Sequence, residues 1–358
     1  MRAAVCHEFG AGLVLEDVNL RAPLSGEVEV TLSAVAICHS DISYMDGAWG
    51  GPLPSVYGHE AAGIITAVGL GTRGFTLGQS VLVTLIKSCG HCAPCASGEP
   101  AYCATSEEIP PALTQLDGGE ITKAMNCGAF AEKVVVDVSQ LAPLPDDIEM
   151  DVASLLACGV ITGVGAVVNT AKIRPGQNVV VIGAGGVGLN AIQGARIAGA
   201  ARIIAIDLSE EKLADAKVFG ATDGVLATEP KPWRKVRELT GGKGADAVFV
   251  TVGAIPAYDA APRYLATGGT VYMVGMPHSG QMSTYEPVML AASGQGMKGT
   301  KMGDVVLARD IPWLVDMYRQ DRLKLTELVS KRWTFDQINE AIADTRAGNA
   351  RRNVIVFK

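Results

Sequence analysis

The sequence predicts an α/β protein in which a doubly wound parallel sheet is set into a second, mostly β region. Three observations carry this. Up to residue 158, short runs of β character are separated by glycine-rich turns. After it, continuous apolar runs alternate with helical stretches. At one of those strand-to-helix turns lies G-A-G-G-V-G, residues 183–188.

Residues 26–37 (GEVEVTLSAVAI) alternate apolar and polar side chains at period two, the pattern of a half-buried strand. Residues 61–68, 80–85 and 129–136 are further short β-type runs, and several such strands between turn residues suggest a partly open barrel or sandwich. Residues 178–182 (NVVVI) then read as a buried strand, 189–198 as a helix, 201–206 as a second strand and 210–219 as a second helix. Strands at 247–251 and 270–274 continue the series, and alternation of this kind builds a parallel sheet covered on both faces. Amphipathic helices follow from about residue 310, with a last strand at 353–357.

The 358 residues suffice for two domains with separate cores. A composition 48% hydrophobic and 19% charged, with 42 glycines, excludes a disordered or fibrous chain. The net charge of -7, without a Lys/Arg-rich run, gives no nucleic-acid footprint. No secretory signal is read at the start and no stretch of 18 uninterrupted apolar residues occurs, so neither export nor a membrane partner is expected and the cytoplasm is. In a reducing compartment the eight cysteines, at 6, 38, 89, 92, 95, 103, 127 and 158, point to metal or catalysis rather than disulfides.

Four of them, Cys89, Cys92, Cys95 and Cys103, fall within fifteen residues as C-x2-C-x2-C-x7-C. Four thiolates close a tetrahedral shell that suits zinc and leaves no position for substrate. An iron–sulfur cluster is the rival, but the last spacing is seven and no proline follows Cys103. His91, between ligands, reads as an exposed loop residue. Cys38, His59 and Cys158 are a different matter. Each alone is more often a packed residue than a ligand. Together, two thiolates and one imidazole leave a fourth position on zinc open, as a catalytic site requires. Asp41 is placed to fix the His59 tautomer, or else is a turn residue.

In the glycine motif, Gly183 makes the tight turn, Gly185 admits a pyrophosphate, and Gly188 lets the helix pack closely. The helix start, with Gly186 and Val187, offers amide donors and a favourable dipole. Asp207 follows Gly183 by 24 residues at the end of the next strand. A carboxylate there accepts from both ribose hydroxyls and repels a 2′-phosphate, favouring NAD over NADP. Asp207 also reads as an N-cap. Lys212 either approaches the adenosine ribose or is a solvated helix lysine.

Taken together, C-H-S-D at 38–41, G-H-E at 58–60, the four-cysteine lobe, C-G-V-I-T-G at 158–163 and the glycine motif resemble the zinc-containing alcohol dehydrogenases of the medium-chain dehydrogenase/reductase superfamily. The resemblance covers essentially the whole chain. It implies a GroES-like catalytic domain, residues 1–159 and 302–358, interrupted by a Rossmann NAD-binding domain, 160–301, with the active site in the cleft between them. It implies one catalytic zinc on Cys38, His59 and Cys158, with Glu60 able to approach the metal, and one structural zinc on the cysteine lobe. Ser40 resembles the hydroxyl that takes the alcohol proton. Thr162, Val187 and Val274 resemble residues around the nicotinamide, and Arg352 a pyrophosphate-binding arginine. Trp49, Leu85, Ala124 and Met125 resemble substrate-pocket positions, or are ordinary core. Family members are dimers or tetramers, so a homo-oligomer is expected.

The chain departs from the family pattern in places. Ser43 stands where many members carry the outer histidine of a proton relay. His39 stands where an arginine often holds the pyrophosphate, so coenzyme binding is expected to weaken as pH rises past neutrality. The segment from Cys103 to Cys127 is shorter than in the animal enzymes. Cys6 and Cys127 receive no role. The expected reaction is reversible hydride transfer between an alcohol and NAD, giving aldehyde or ketone. A dehydrogenase acting on hydroxymethyl-thiol adducts, a non-catalytic NAD-binding sensor and a zinc hydrolase are the rival readings.

Overall fold

A computed structural model describes residues 1–105 and 109–358. The strand expected at 26–37 forms as Glu27–Ala36, and Val28, Val30, Leu32 and Ala34 on its alternate positions are buried. It pairs antiparallel with Glu60–Val68, Lys133–Asp137 and Arg352–Val356 at the centre of a seven-stranded sheet. Arg2–Cys6, not foreseen as a strand, pairs with Val14–Asp17 and Ser55–Val56 in a six-stranded sheet. Ala4 and Val56 of that sheet share one core with Val30, Ile65, Val136 and Ile355 of the first. Each of the valines and isoleucines, fully buried, contributes roughly 1.5–3 kcal/mol.

The run 129–136 becomes a strand only from Lys133 to Asp137. Its first residues leave the ladder for another purpose. Ala129 N–H donates to Gly58 O at 2.9 Å and Phe130 N–H to Tyr57 O at 2.8 Å. They therefore hold the turn that carries His59.

The third sheet has six parallel strands in the order Asp223–Leu226, Arg202–Asp207, Asn178–Ile182, Ala245–Val250, Leu265–Met273, Gly296–Gly299. The earliest strand in sequence is central, so the strand order reverses at its C-terminal end, where open α/β sheets bind ligands. Asn178–Ile182 matches the expected strand residue for residue. The helix expected at 189–198 starts earlier, at Gly186–Ile197, because Gly185 is already its N-cap.

Contacts divide the chain into two units: Met1–Cys158 with Val306–Tyr318 and Leu325–Lys358, and Gly159–Val305 with Arg319–Lys324. The later boundary differs from the expected 301/302 because residues 302–304 pack on the second unit's own helix, with Asn169 Nδ2 donating to Gly303 O at 3.2 Å. Residues 319–324 join it because Gln193 and Lys324 exchange two hydrogen bonds, at 3.1 and 2.7 Å. No single helix among the described residues is long and apolar enough to cross a membrane.

Candidate metal centres and coenzyme site

Cys38 caps the helix His39–Met45, and Asp41 lies in that helix's first turn. Asp41 Oδ2 accepts from Cys38 N–H at 3.0 Å. Its Oδ1 accepts from Gly58 N–H at 3.0 Å and faces His59 Nδ1 at 2.9 Å. One fully buried carboxylate thus ties both ligand-bearing segments together, as turn residue at Cys38 and as partner of His59 at once. An ionised carboxylate can only accept, so Nδ1 carries the proton and Nε2 is left with its lone pair. Gly58, at φ +91°, is required here: a Cβ would lie 2.6 Å from both Phe130 Cδ1 and Phe130 N.

The ligating atoms of Cys38, His59, Glu60 and Cys158 lie within 4.8 Å of one another, and all four residues are buried. Cys158 sits at a backbone break (φ −146°, ψ −67°) after the short helical turn Leu155–Ala157, and Thr84 Oγ1 anchors that turn by donating to Ala157 O at 2.7 Å. His59 Nε2 is buried with no hydrogen-bond partner. An unmet buried nitrogen costs about 1–3 kcal/mol, and coordination removes that cost. The set fits a zinc ion: two sulfurs, one imidazole nitrogen and a carboxylate in reserve. The Cys38 thiol is held well below its usual range by a hydrogen bond from Cys158, against the cost of burial, and Cys158 is raised in turn. Burial opposes charge on His59, but Asp41 and Cys38 outweigh it and raise the ring's proton affinity, so a metal at Nε2 would take the place of a proton there.

Glu60 and Arg352 were not expected to meet. Their side chains are 0% and 4% exposed and approach to 3.5 Å. Neither Glu60 oxygen makes a hydrogen bond, and burial pushes the carboxyl up to about 8 even though Arg352 opposes the shift. Arg352 faces Glu60, and its Nη2, like both Glu60 oxygens, makes no hydrogen bond.

The lobe cysteines form a second set, also with sulfurs within 4.8 Å of one another, and all half-buried. Their segment is irregular: a four-residue helix Ala93–Ala96, then a single turn Pro100–Tyr102. Backbone N–H groups point at sulfur, Cys89 N–H to Cys103 Sγ and Cys92 N–H to Cys89 Sγ, each at 3.3 Å. Thr105 Oγ1 donates to Cys89 Sγ at 3.1 Å and, with backbone donors, brings that thiol down to about 5. Donors aimed at sulfur fit thiolates, the form that binds zinc. His91 is exposed, its Nδ1 2.9 Å from Cys89 O. Cys6 and Cys127 belong to neither set and are packed in the core, and no disulfide involves any of the eight cysteines.

In the second unit the glycine turn follows the Asn178–Ile182 strand directly. Gly183 has φ +96°, and a Cβ at Gly188 would collide with the Gly183 carbonyl. A Cβ at Gly185, by contrast, would meet nothing within 4 Å. Close packing at two glycines and open space at the third, on the N-cap of a twelve-residue helix, fit a dinucleotide pyrophosphate. Asp207 Oδ2 accepts from Ala184 N–H at 2.7 Å and Oδ1 from Ser209 N–H at 3.1 Å, so both oxygens are oriented from the backbone. The N-cap of the following helix is Ser209, not Asp207. The Lys212 N–H donates to the cap hydroxyl at 3.3 Å, and its side chain is half-buried.

Gly163 lets the Thr162 helix approach closely, since a Cβ there would strike Val187 O and Asn190. Thr162 is 8% exposed and its hydroxyl lies 3.7 Å from Met302 Sδ. Val274 follows the Leu265–Met273 strand, its N–H bonded to Val250 O at 3.0 Å. In the first unit Ser40 and Ser43 are half-buried, and His39 is exposed. Leu85, Ala124 and Met125 are half-buried against the core. Trp49 packs edge-on against Tyr44, 4.8 Å between centroids, and Tyr44 stacks on Tyr57. Sequence reasoning did not pick out the two tyrosines, since isolated aromatics carry no spacing signal.

A Rossmann sheet with an open glycine turn, and a buried mixed-donor metal centre, define a metal-dependent oxidoreductase. Residues 24–146 match the alcohol dehydrogenase GroES-like domain and residues 186–320 the zinc-binding dehydrogenase domain. An alcohol dehydrogenase zinc-binding domain protein from Burkholderia ambifaria is 33% identical over 100% of this chain and 98% of its own, with a TM-score of 0.95. Benzyl alcohol dehydrogenase from Acinetobacter calcoaceticus is 30% identical over 100% and 99%, with a TM-score of 0.94. Alcohol dehydrogenase TADH from Thermus sp. ATN1 is 25% identical over 100% of both chains, with a TM-score of 0.86. The chain belongs to the zinc-containing alcohol dehydrogenases of the medium-chain dehydrogenase/reductase superfamily.

Proposed function

We propose that this chain is an NAD-dependent alcohol dehydrogenase holding two zinc ions, one at each four-donor set, and that its substrates are alcohols with an apolar, preferably aromatic, substituent. The observation that carries the reading is the contrast in donors. Four thiols close one shell, while the buried set offers two thiols and a bare imidazole nitrogen with Glu60 behind. Zinc at the buried set supplies Lewis acidity toward an alcohol or carbonyl oxygen. The nicotinamide coenzyme supplies the hydride acceptor.

The protein's own part is orientation and proton handling. Asp41 holds His59 in the tautomer that leaves Nε2 available. Ser40 Oγ, in the first turn of the helix capped by Cys38, takes the proton released by the alcohol hydroxyl. With serine at 43, that proton leaves through water. Residues 183–188 cradle the pyrophosphate, and Asp207, whose oxygens retain lone pairs, accepts from the ribose hydroxyls and disfavours a 2′-phosphate. Thr162, Val187 and Val274 bound the nicotinamide. Trp49 on Tyr44, with the likeness to a benzyl alcohol dehydrogenase, supports an aromatic substituent.

Met276, Met282, Tyr285, Val288 and Met289 are each more than half exposed and precede the edge strand Gly296–Gly299. Exposed apolar side chains beside an unpaired strand edge support a homo-oligomer built on this face. Eight cysteines outside any disulfide support the cytoplasm.

The test is an absorbance assay of zinc-loaded protein with NAD and with NADP over primary, secondary and aromatic alcohols. Expected are turnover with NAD, benzyl alcohol ahead of ethanol in kcat/KM by at least about tenfold, and two zinc ions per chain by elemental analysis. Turnover confined to formaldehyde with a thiol would replace the substrate assignment with the thiol-adduct reading. NAD binding without any turnover would replace the enzyme with a sensor.

A further inference from the structure

Thr251 follows the Ala245–Val250 strand, one residue beyond the last ladder pair, Ile182 with Val250. Its N–H donates to Ile182 O at 3.0 Å, which extends that ladder by one bond. Its hydroxyl does something a ladder cannot. Oγ1 lies 2.9 Å from Ile182 O and 2.9 Å from Gly183 O, spanning the end of the strand and the first residue of the glycine turn. The same oxygen lies 3.0 Å from where a Gly183 Cβ would stand and 2.9 Å from where a Gly188 Cβ would stand. The hydroxyl thus packs against both glycines, beside Val252 Cγ1 at 2.4 Å from a Gly183 Cβ and Gly183 O at 1.8 Å from a Gly188 Cβ. On the other side of the turn, Asp207 Oδ2 takes the Ala184 N–H at 2.7 Å. The turn is held at Gly183 O by one side chain and at the next N–H by another.

We infer that Thr251 is a positioning residue for the coenzyme: its hydroxyl fixes the Gly183 carbonyl so that the turn at Gly183–Gly185 is set for a pyrophosphate before one arrives. The inference rests on the reading of that turn as the coenzyme site. The physical ground is preorganisation. A turn containing several glycines has many accessible conformations, and whatever holds it lowers the entropy lost on binding. The Thr251 hydroxyl accomplishes this without touching the ligand.

The experiment is NADH titration by fluorescence, thermal melting and steady-state kinetics on the wild-type holoenzyme, Thr251→Val and Thr251→Ser. Valine keeps the shape and removes the hydroxyl; serine keeps the hydroxyl. Expected is a Kd for NADH raised about five- to tenfold in Thr251→Val, from the loss of one hydrogen-bonding group. kcat at saturating coenzyme should stay within about twofold, and serine should restore the Kd. A Kd unchanged in Thr251→Val, with only a lowered melting temperature, would overturn the inference and leave Thr251 as a packing residue. So would a serine variant as weak as valine. Failure of the wild type itself to bind NADH would instead overturn the coenzyme reading beneath it. Should the valine variant not fold, Thr251→Ala against Thr251→Ser makes the same comparison.

Discussion

The two four-donor sets of this chain are assembled in opposite ways. The lobe set comes from fifteen consecutive residues, 89–103, with little regular structure and half-buried sulfurs. The buried set spans residues 38 to 158 and lies in the core of its unit. The first is organised by backbone N–H groups of its own loop, and a metal bound there would supply much of its rigidity. The second is organised by the fold: Asp41 joins two segments, Thr84 anchors a third, and Gly58 and Phe130 fix the approach of His59. A site built by the fold can keep a donor bare; a site built by a loop closes around what it binds.

The largest effect that would sharpen this comparison is on activity. Cys38→Ser is expected to lower kcat/KM on the order of a thousandfold or more, since it removes a donor from the centre that stabilises transition-state charge. Cys103→Ser should leave kcat per folded molecule within about threefold while lowering the melting temperature, as expected of a closed structural site. Equal catalytic losses in both, measured at a temperature where both are folded, would erase the distinction. Next in size is metal affinity. Asp41→Asn should weaken zinc at the buried set about 10- to 100-fold, read by competition with a chromogenic chelator. Chelation should then separate the two regions in hydrogen exchange. Amides in 88–105 should lose protection on zinc removal, while those of the Glu27–Ala36 strand keep theirs. Protection lost in both together would mean that the fold does not preform the buried set.

The smallest effect concerns a buried carboxylate of another kind. Glu27 is 4% exposed, yet both its oxygens bond Arg21, at 2.6 and 2.9 Å, and one also accepts from Leu24 N–H. Burial pushes its carboxyl up, but Arg21 and the backbone outweigh this and hold it below its usual value. The folded state therefore binds fewer protons than the unfolded one between the two values. The stabilisation is present above the unfolded value, about 4.3, and is lost as pH falls toward the folded one. With Arg21 partly exposed, Glu27→Gln should cost about 1 kcal/mol at pH 7 and flatten that acid limb in denaturant titrations. Glu60, with no hydrogen bond to either oxygen, has no such limb to lose.

How much was legible follows the same divide. The cysteine lobe could be read directly because its ligands are neighbours in sequence. The strand at 178–182 and the glycine turn were legible because period and turn chemistry are local. Cys38, His59 and Cys158 acquired meaning only jointly, as two thiolates and one imidazole, and through resemblance, since nothing local marks a buried ligand. The pairing of Arg352 with Glu60 was not legible at all, because it depends on the register between Arg352–Val356 and Glu27–Ala36. Arg2–Cys6 was missed because four consecutive apolar residues, Ala3–Cys6, all buried, show no alternation, and the N-cap at Ser209 because two candidate capping residues stood two apart.

That pairing of Arg352–Val356 with Glu27–Ala36 also sets an order of events at the ribosome. The central strand of the first sheet is made early, but one of its partners is made last, after the whole interrupting unit has emerged. The unit from Gly159 to Val305 can collapse while the earlier residues still wait for their final strand. Until then Glu60 has no guanidinium beside it. A truncation that loses only the final seven residues removes both this strand and the cation beside Glu60, and should be costlier than its length suggests.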